Sequence, residues 1–167
     1  GLQPIKTLFQ HLPPDTGSAF IVIQHLSPDF KSLMDELLAR DTVMPIHKVE
    51  DGMTMRPNNI YLIPPRMNMT VANGRLCLEE QARGNVLRFP IDVFMESLAQ
   101  DCGPRAVGVI LSGTGSDGTR GIRAIKEQGG LVVVQDAESA SFDGMPRSAV
   151  MTGAADYVLP PEDMAQK

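Results

Sequence analysis

The sequence is short of basic charge. Its 15 Lys and Arg stand against 20 Asp and Glu, a net charge of −5, with an isoelectric point near 5.1. A duplex nucleic-acid binder needs a basic face to neutralise phosphates, so that class is excluded. No apolar run approaches the roughly 18 residues of a membrane span, and no signal-peptide pattern is visible. There are 2 cysteines and 3 histidines in 167 residues. Cys77 and Cys102 match no metal or redox spacing, and they suit a reducing cytoplasm as free thiols. His11, His25 and His47 have no ligand spacing, so neither a zinc site nor any other metal is expected. No internal repeat, low-complexity tract or linker stands out, and the length suits one domain.

What is present is an ordinary globular composition, 43% hydrophobic and 21% charged, arranged in alternating strand and helix patterns. Ile5, Leu8, Phe9 and Leu12 have helical spacing, and Pro13-Pro14 stops that helix. Residues 19–24 read as a strand. Residues 29–40 read as an amphipathic helix with Phe30, Leu33, Met34, Leu37 and Leu38 on one face. Short strands are expected at 45–50 and 60–63. From Met67 to Glu80, two alternating runs flank Asn73-Gly74, the signature of a type I′ hairpin. A helix over 91–100, a strand over 105–111, a helix over 117–128, the strand "LVVVQD", a short helix over 145–151 and a last strand over 157–159 complete the chain. This alternation predicts an α/β fold of three layers, α/β/α, on a mostly parallel, doubly wound sheet, with the hairpin at its edge or end. The chain opens on a helix pattern, whereas a doubly wound domain often opens on a central strand.

Two segments carry candidate chemistry. In "IVIQHLSPDF", a buried strand pattern delivers His25 to its carboxyl end, the edge where open α/β sheets bind ligands. A capping or partly exposed histidine is the plain alternative. In "VILSGTGSDGTRGI", a strand runs into a glycine-rich turn and a helix, and three readings compete. Gly113, Gly115 and Gly118 spell the G-x-G-x-x-G dinucleotide fingerprint, with Asp136 near the place of a ribose-binding acid. Against it, Asp117 would occupy the positive helix end that a pyrophosphate needs. Second, "TGSDG" approximates a nucleophile elbow on Ser116, which stands too far past the strand. Third, Asp117 is a carboxylate partner for His25, kept ionised by the adjacent helix N-terminus and able to fix the imidazole tautomer. Glycine flanks would let backbone N–H groups face a developing oxyanion. An aspartate N-cap in a glycine turn is the bland counterpart. The third reading fits best, yet it supplies no serine.

The blocks "IVIQHLSPD", "NIYLIPP", "PIDVFMESLA", "GVILSGTGSDGTRGI", "VVVQDAESASFDGMPRSAV" and "DYVLPP" together resemble the CheB-type chemotaxis protein-glutamate methylesterases. The likeness runs in order along nearly the whole chain, and its wording is nearest to versions fused to a CheR-type methyltransferase and sensory modules. It implies a cytoplasmic hydrolase of γ-glutamyl methyl esters on chemoreceptor-type signalling helices, using a Ser-His-Asp triad and no cofactor. It places the family's histidine on His25 and its aspartate on Asp117. Thr114 falls where stand-alone members usually carry an oxyanion-site methionine, which leaves a backbone N–H role there. Gly113 and Gly115 would border the same oxyanion site, and Met145 and Arg147 the substrate groove. The family's serine lies in a run like Gly-Ala-Ser-Ala-Gly-Gly-Leu after the first strand. The resemblance therefore implies that Gly1-Leu2 ends that run, that residues 1–167 form a single methylesterase-like domain incomplete at its N-terminus, and that this chain alone is inactive. A dinucleotide-binding domain and a catalytically silent receptor-docking module are the alternatives to carry forward.

Overall fold

The computed structural model describes residues 2–24, 34–81 and 89–165. In chain order the elements are α1 Leu2–His11, β1 Phe20–Val22, α2 Met34–Leu38, β2 Ile46–Lys48, β3 Met53–Thr54, β4 Ile60–Leu62, β5 Met67–Ala72 and β6 Arg75–Glu80. They continue with α3 Pro90–Cys102, a single 3₁₀ turn, β7 Val107–Ile110, α4 Thr119–Glu127, β8 Leu131–Gln135, α5 Gly144–Met151, β9 Tyr157–Leu159 and α6 Pro161–Met164.

The expected α/β architecture is present. Its parallel pairing forms two three-stranded sheets, ordered β1-β4-β2 and β7-β8-β9. Among the described residues, β1 pairs only with β4 and β7 only with β8, all in parallel. Central parallel strands are normally buried on both faces. Here all three residues of β1 are half-buried and Val107 of β7 is 51% exposed. At their carboxyl ends the two sheets meet. Ile23, just past β1, packs on the core between α3, α4 and β8, and Leu111, just past β7, packs on the core under α1 and α2.

The hairpin forms as its sequence dictates. Asn73 and Gly74 both take positive φ, 53° and 74°, as a type I′ turn requires. It does not extend a parallel sheet. It joins β3, a two-residue strand with no sequence signal, in an antiparallel sheet β3-β6-β5. That sheet is tied to α3, where Ser97 Oγ accepts the Val71 N–H at 3.0 Å and Asp101 accepts both turn amides, from Asn73 at 2.7 Å and Gly74 at 3.1 Å.

Several expected elements end sooner than their patterns. The strand expected over 19–24 spans three residues, and α4 begins at Thr119 rather than residue 117 because Gly118 sits at φ 100°. Of the helix expected over 29–40, residues 29–33 lie outside the described residues, as does His25. Cys77 and Cys102 are free thiols, both half-buried.

Candidate active site

The glycine-rich turn leaves the carboxyl end of β7 and is built from its neighbours. Gly113 N–H donates to the Phe142 carbonyl at 2.9 Å, and the Gly113 carbonyl accepts Met145 N–H at 2.9 Å. Ser112 extends the same zipper. Its N–H donates to Gln135 Oε1 at 2.8 Å, and its hydroxyl accepts the Phe142 N–H at 3.0 Å. Gln135 is 1% exposed, so β8 fixes the turn from beneath through a buried amide. Met145 is buried, and a Cβ at Gly113 would lie 2.7 Å from its sulfur. The start of α5 also comes close, since a Cβ at Gly144 would lie 3.1 Å from the Gly115 nitrogen.

Thr114, Gly115 and Ser116 face outward at the top of this turn, and Gly115 has φ 85° with open space where a Cβ would be. The Thr114 and Gly115 amides bond to no acceptor among the described residues. Gly113 borders the turn, but its amide is already committed to Phe142. Arg147 is exposed and its Nε lies 2.5 Å from Asp143 Oδ2.

Asp117 turns inward and is 4% exposed. Its carboxylate does not cap its own helix. Oδ2 accepts Ile91 N–H at 3.0 Å and Oδ1 accepts Asp92 N–H at 2.9 Å, so it caps the first turn of α3. These bonds are not its only interaction. Asp92 returns the exchange. It is 5% exposed, and its Oδ1 accepts Gly118 N–H at 3.0 Å and Gly121 N–H at 2.8 Å, capping α4. Burial pushes the Asp92 carboxyl above its ordinary range. The Gly121 amide draws it down, and the Asp117 charge adds to the upward push. The expectation that the N-terminal amides of α4 serve Asp117 is thus corrected: Asp117 accepts from amides of α3, and the Gly118 and Gly121 amides donate to Asp92.

This exchange removes the structural basis of the dinucleotide fingerprint. A bound pyrophosphate would need the N-terminal amides of α4, and the Gly118 and Gly121 amides are already taken by a buried carboxylate. The carboxylate of Asp136 is likewise engaged by the Ser139 hydroxyl. Among the described residues, no group of three or more His, Cys, Asp or Glu could hold a metal ion. No described helix is long and apolar enough to cross a membrane.

Sequence reasoning missed Asp92 and Gln135. Asp92 sits in "PIDVF", two residues after a helix-starting proline, which is where an aspartate normally serves its own helix. His25 falls outside the described residues. Ile23, two residues before it in sequence, packs on the core that holds Ile91, Ile110 and Ile122.

Comparisons with known proteins agree on one family. A family model described as CheB methylesterase matches residues 1–167. The chain is 34% identical over 170 residues to a protein-glutamate methylesterase/protein-glutamine glutaminase of Moorella thermoacetica, covering 99% of this chain and 40% of that protein. It is 50% identical over 126 residues to an uncharacterised 104.1 kDa protein from the hypE 3′ region of Rhodobacter capsulatus, covering 75% of this chain and 13% of that protein. The chain therefore spans half or less of the length of these curated relatives. The crystal structure of the Thermotoga maritima CheB methylesterase catalytic domain superposes with a TM-score of 0.89 at 29% identity, covering 99% of this chain and 90% of that one.

Proposed function

Because this chain belongs to the CheB methylesterase family, we propose that it is the catalytic domain of a protein-glutamate methylesterase in which His25 is the general base and Asp117 its orienting carboxylate. The observation that carries this reading is the Asp117 carboxylate, buried at the carboxyl rim of the sheets and held by two backbone amides of α3. An aspartate so fixed can accept an imidazole N–H, hold one tautomer and stabilise the imidazolium. The nucleophile of this reading is a serine outside residues 1–167, at the end of a strand that pairs beside β1 and β7.

The reaction then runs as acyl transfer. The serine oxygen attacks the γ-glutamyl ester carbonyl while His25 takes its proton, and the carbonyl oxygen gains the negative charge. The Thr114 and Gly115 amides, exposed at the turn, are the donors for that oxyanion. The tetrahedral intermediate collapses, His25 returns the proton to the leaving methoxide, and methanol departs. Water, deprotonated by His25, releases the glutamate side chain and restores the serine. Met145 supports the turn from below, and Arg147 lies at its flank for an acidic receptor helix. The substrate class is the methylated signalling helix of a chemoreceptor-type protein, in the cytoplasm. A methyltransferase and sensory modules, fused or associated, are its working partners. A γ-glutamyl amide would follow the same path with ammonia as leaving group, which the glutaminase part of the relatives' names favours.

The test is methanol release from methylated receptor. Residues 1–167 alone are expected to show no triad-dependent hydrolysis. Loss of a triad serine costs roughly 10⁶-fold in kcat, about as much as loss of the whole triad. Adding a strand that ends in Gly-Ala-Ser-Ala-Gly before Leu2 is expected to confer release that His25→Ala abolishes. Full activity of residues 1–167 by themselves would refute the assignment and make Ser116 the leading nucleophile. Receptor binding without any turnover in the extended chain would favour a docking module.

A further inference from the structure

We propose that Asp92 is a positioning residue for this reaction, holding the turn at Asp117 and Gly118 against α3 so that Asp117 meets the imidazole in one orientation. The inference rests on the catalytic reading of Asp117. Its physical basis is the reciprocity of the two carboxylates. The Asp92 N–H donates to Asp117 Oδ1, while Asp92 Oδ1 accepts from Gly118, the residue that follows Asp117. Each carboxylate thus fixes the backbone that carries the other.

The turn needs such a clamp. Gly118 stands at φ 100°, and a Cβ there would lie 2.6 Å from Ile110 Cδ1, so the turn is pressed onto the core. With Asp92 truncated, the Gly118 and Gly121 amides would be buried without an acceptor, and the start of α4 would shift to find one. Asp117 would move with it. The other charged groups nearby do not offer a substitute. Glu96, one turn along α3, is engaged by Arg120 of α4 at 3.3 Å, and both are substantially exposed. Burying a carboxylate beside a second one is costly: desolvation first, and the Asp117 charge after it, push Asp92 upward. A simple helix cap would not require that cost, because a serine or threonine caps a helix without a charge.

The acceptor geometry gives a clean test. Both α4 amides bond to the same oxygen, Oδ1. Asp92→Asn can keep that oxygen in place, and Asp92→Ala cannot. In the full-length polypeptide, steady-state methanol release is measured for Asp92→Ala, Asp92→Asn, Asp117→Ala and the double variant Asp92→Ala/Asp117→Ala, with folded fraction followed by circular dichroism. Asp92→Ala is expected to lower kcat per folded molecule by about 10²-fold, the cost of misplacing a catalytic group by about 1 Å, with KM unchanged. Asp92→Asn is expected to recover most of that loss. In the Asp117→Ala background, removing Asp92 is expected to change kcat little, because the two act through one group. If Asp92→Ala fails to fold, Asp92→Glu replaces it. Its extra methylene displaces the acceptor, and kcat is expected to fall below that of Asp92→Asn.

Unchanged kcat in Asp92→Ala, an equal loss in both backgrounds, or equal kcat in the Asn and Glu variants overturns the inference while leaving the catalytic role of Asp117 intact. Full kcat in Asp117→Ala overturns the catalytic reading itself, and the inference with it.

Discussion

Gly121→Ala isolates the packing that brings the two carboxylates together. Gly121 lies on α4 facing α3, where a Cβ would stand 2.6 Å from Met95 Cβ, 3.1 Å from its sulfur and 3.2 Å from its Cγ. Unstrained carbons meet at about 3.5–4.0 Å, so the helices must part by about 1 Å. Met95 cannot rotate out of the way, because its Cβ is fixed to the backbone. Alanine should gain about 1 kcal/mol of helix propensity over glycine. Overpacking of this kind costs about 1–3 kcal/mol. The separation also stretches the 2.8 Å bond from Gly121 N–H to Asp92 Oδ1, and a hydrogen bond to a charged group contributes about 1.5–3 kcal/mol. The net expectation is a loss of about 2–4 kcal/mol. At about 2–4 °C per kcal/mol for a domain of this size, the melting temperature should fall by about 5–15 °C. Urea and thermal denaturation followed by circular dichroism read this directly. A Gly121→Ala variant as stable as the parent, or more stable, would refute the close approach of α3 and α4 on which the site's construction depends.

Asp156 accepts from Lys126 and from the Val132 amide, and those bonds hold its carboxyl below the ordinary range, the Lys126 bond most strongly. Its contribution is present above the unfolded carboxylate range and is lost as pH falls toward the lowered folded value. Asp156→Asn should therefore be less stable than the parent at neutral pH, and the gap should close on acidification; a gap that widens would contradict this. Arg147→Ala should change stability by less than about 1 kcal/mol in denaturant titrations, because its partner Asp143 and Arg147 itself are both largely exposed. Calorimetric titration with NAD or NADP should show no saturable binding; binding lost on Gly115→Val would restore the dinucleotide reading. A fluorophosphonate probe on the full-length polypeptide, followed by peptide mapping, should mark a serine outside residues 1–167, and an adduct on Ser116 would point to the elbow reading instead.

Local signals translated well where local physics decides. Asn73-Gly74 specified its turn because both residues tolerate positive φ, and the observed hairpin strands are the two alternating runs beside it. The last strand, Tyr157–Leu159, and the stop of α4 before Gly129 were equally legible. The turn after β7 was placed correctly at the sheet rim. What could not be read was which carboxylate serves which helix. Asp92 and Asp117 lie 25 residues apart in the bond that links them, and periodicity carries no record of a long-range exchange. The same holds for Ser112 and Gln135, joined across 23 residues. The two-residue β3 and the four-residue α6 are too short for any pattern to mark them.

The central claim is that Asp117 works through His25 on a glutamyl methyl ester. It is tested most directly by the initial rate of methanol release from methylated receptor by the full-length polypeptide, compared with its His25→Ala and Asp117→Asn variants. The account predicts release that His25→Ala abolishes. It predicts a fall in kcat of up to about 10⁴-fold for Asp117→Asn, which presents the imidazole with the wrong partner and so the wrong tautomer. Release that persists at the parent rate in either variant would contradict it.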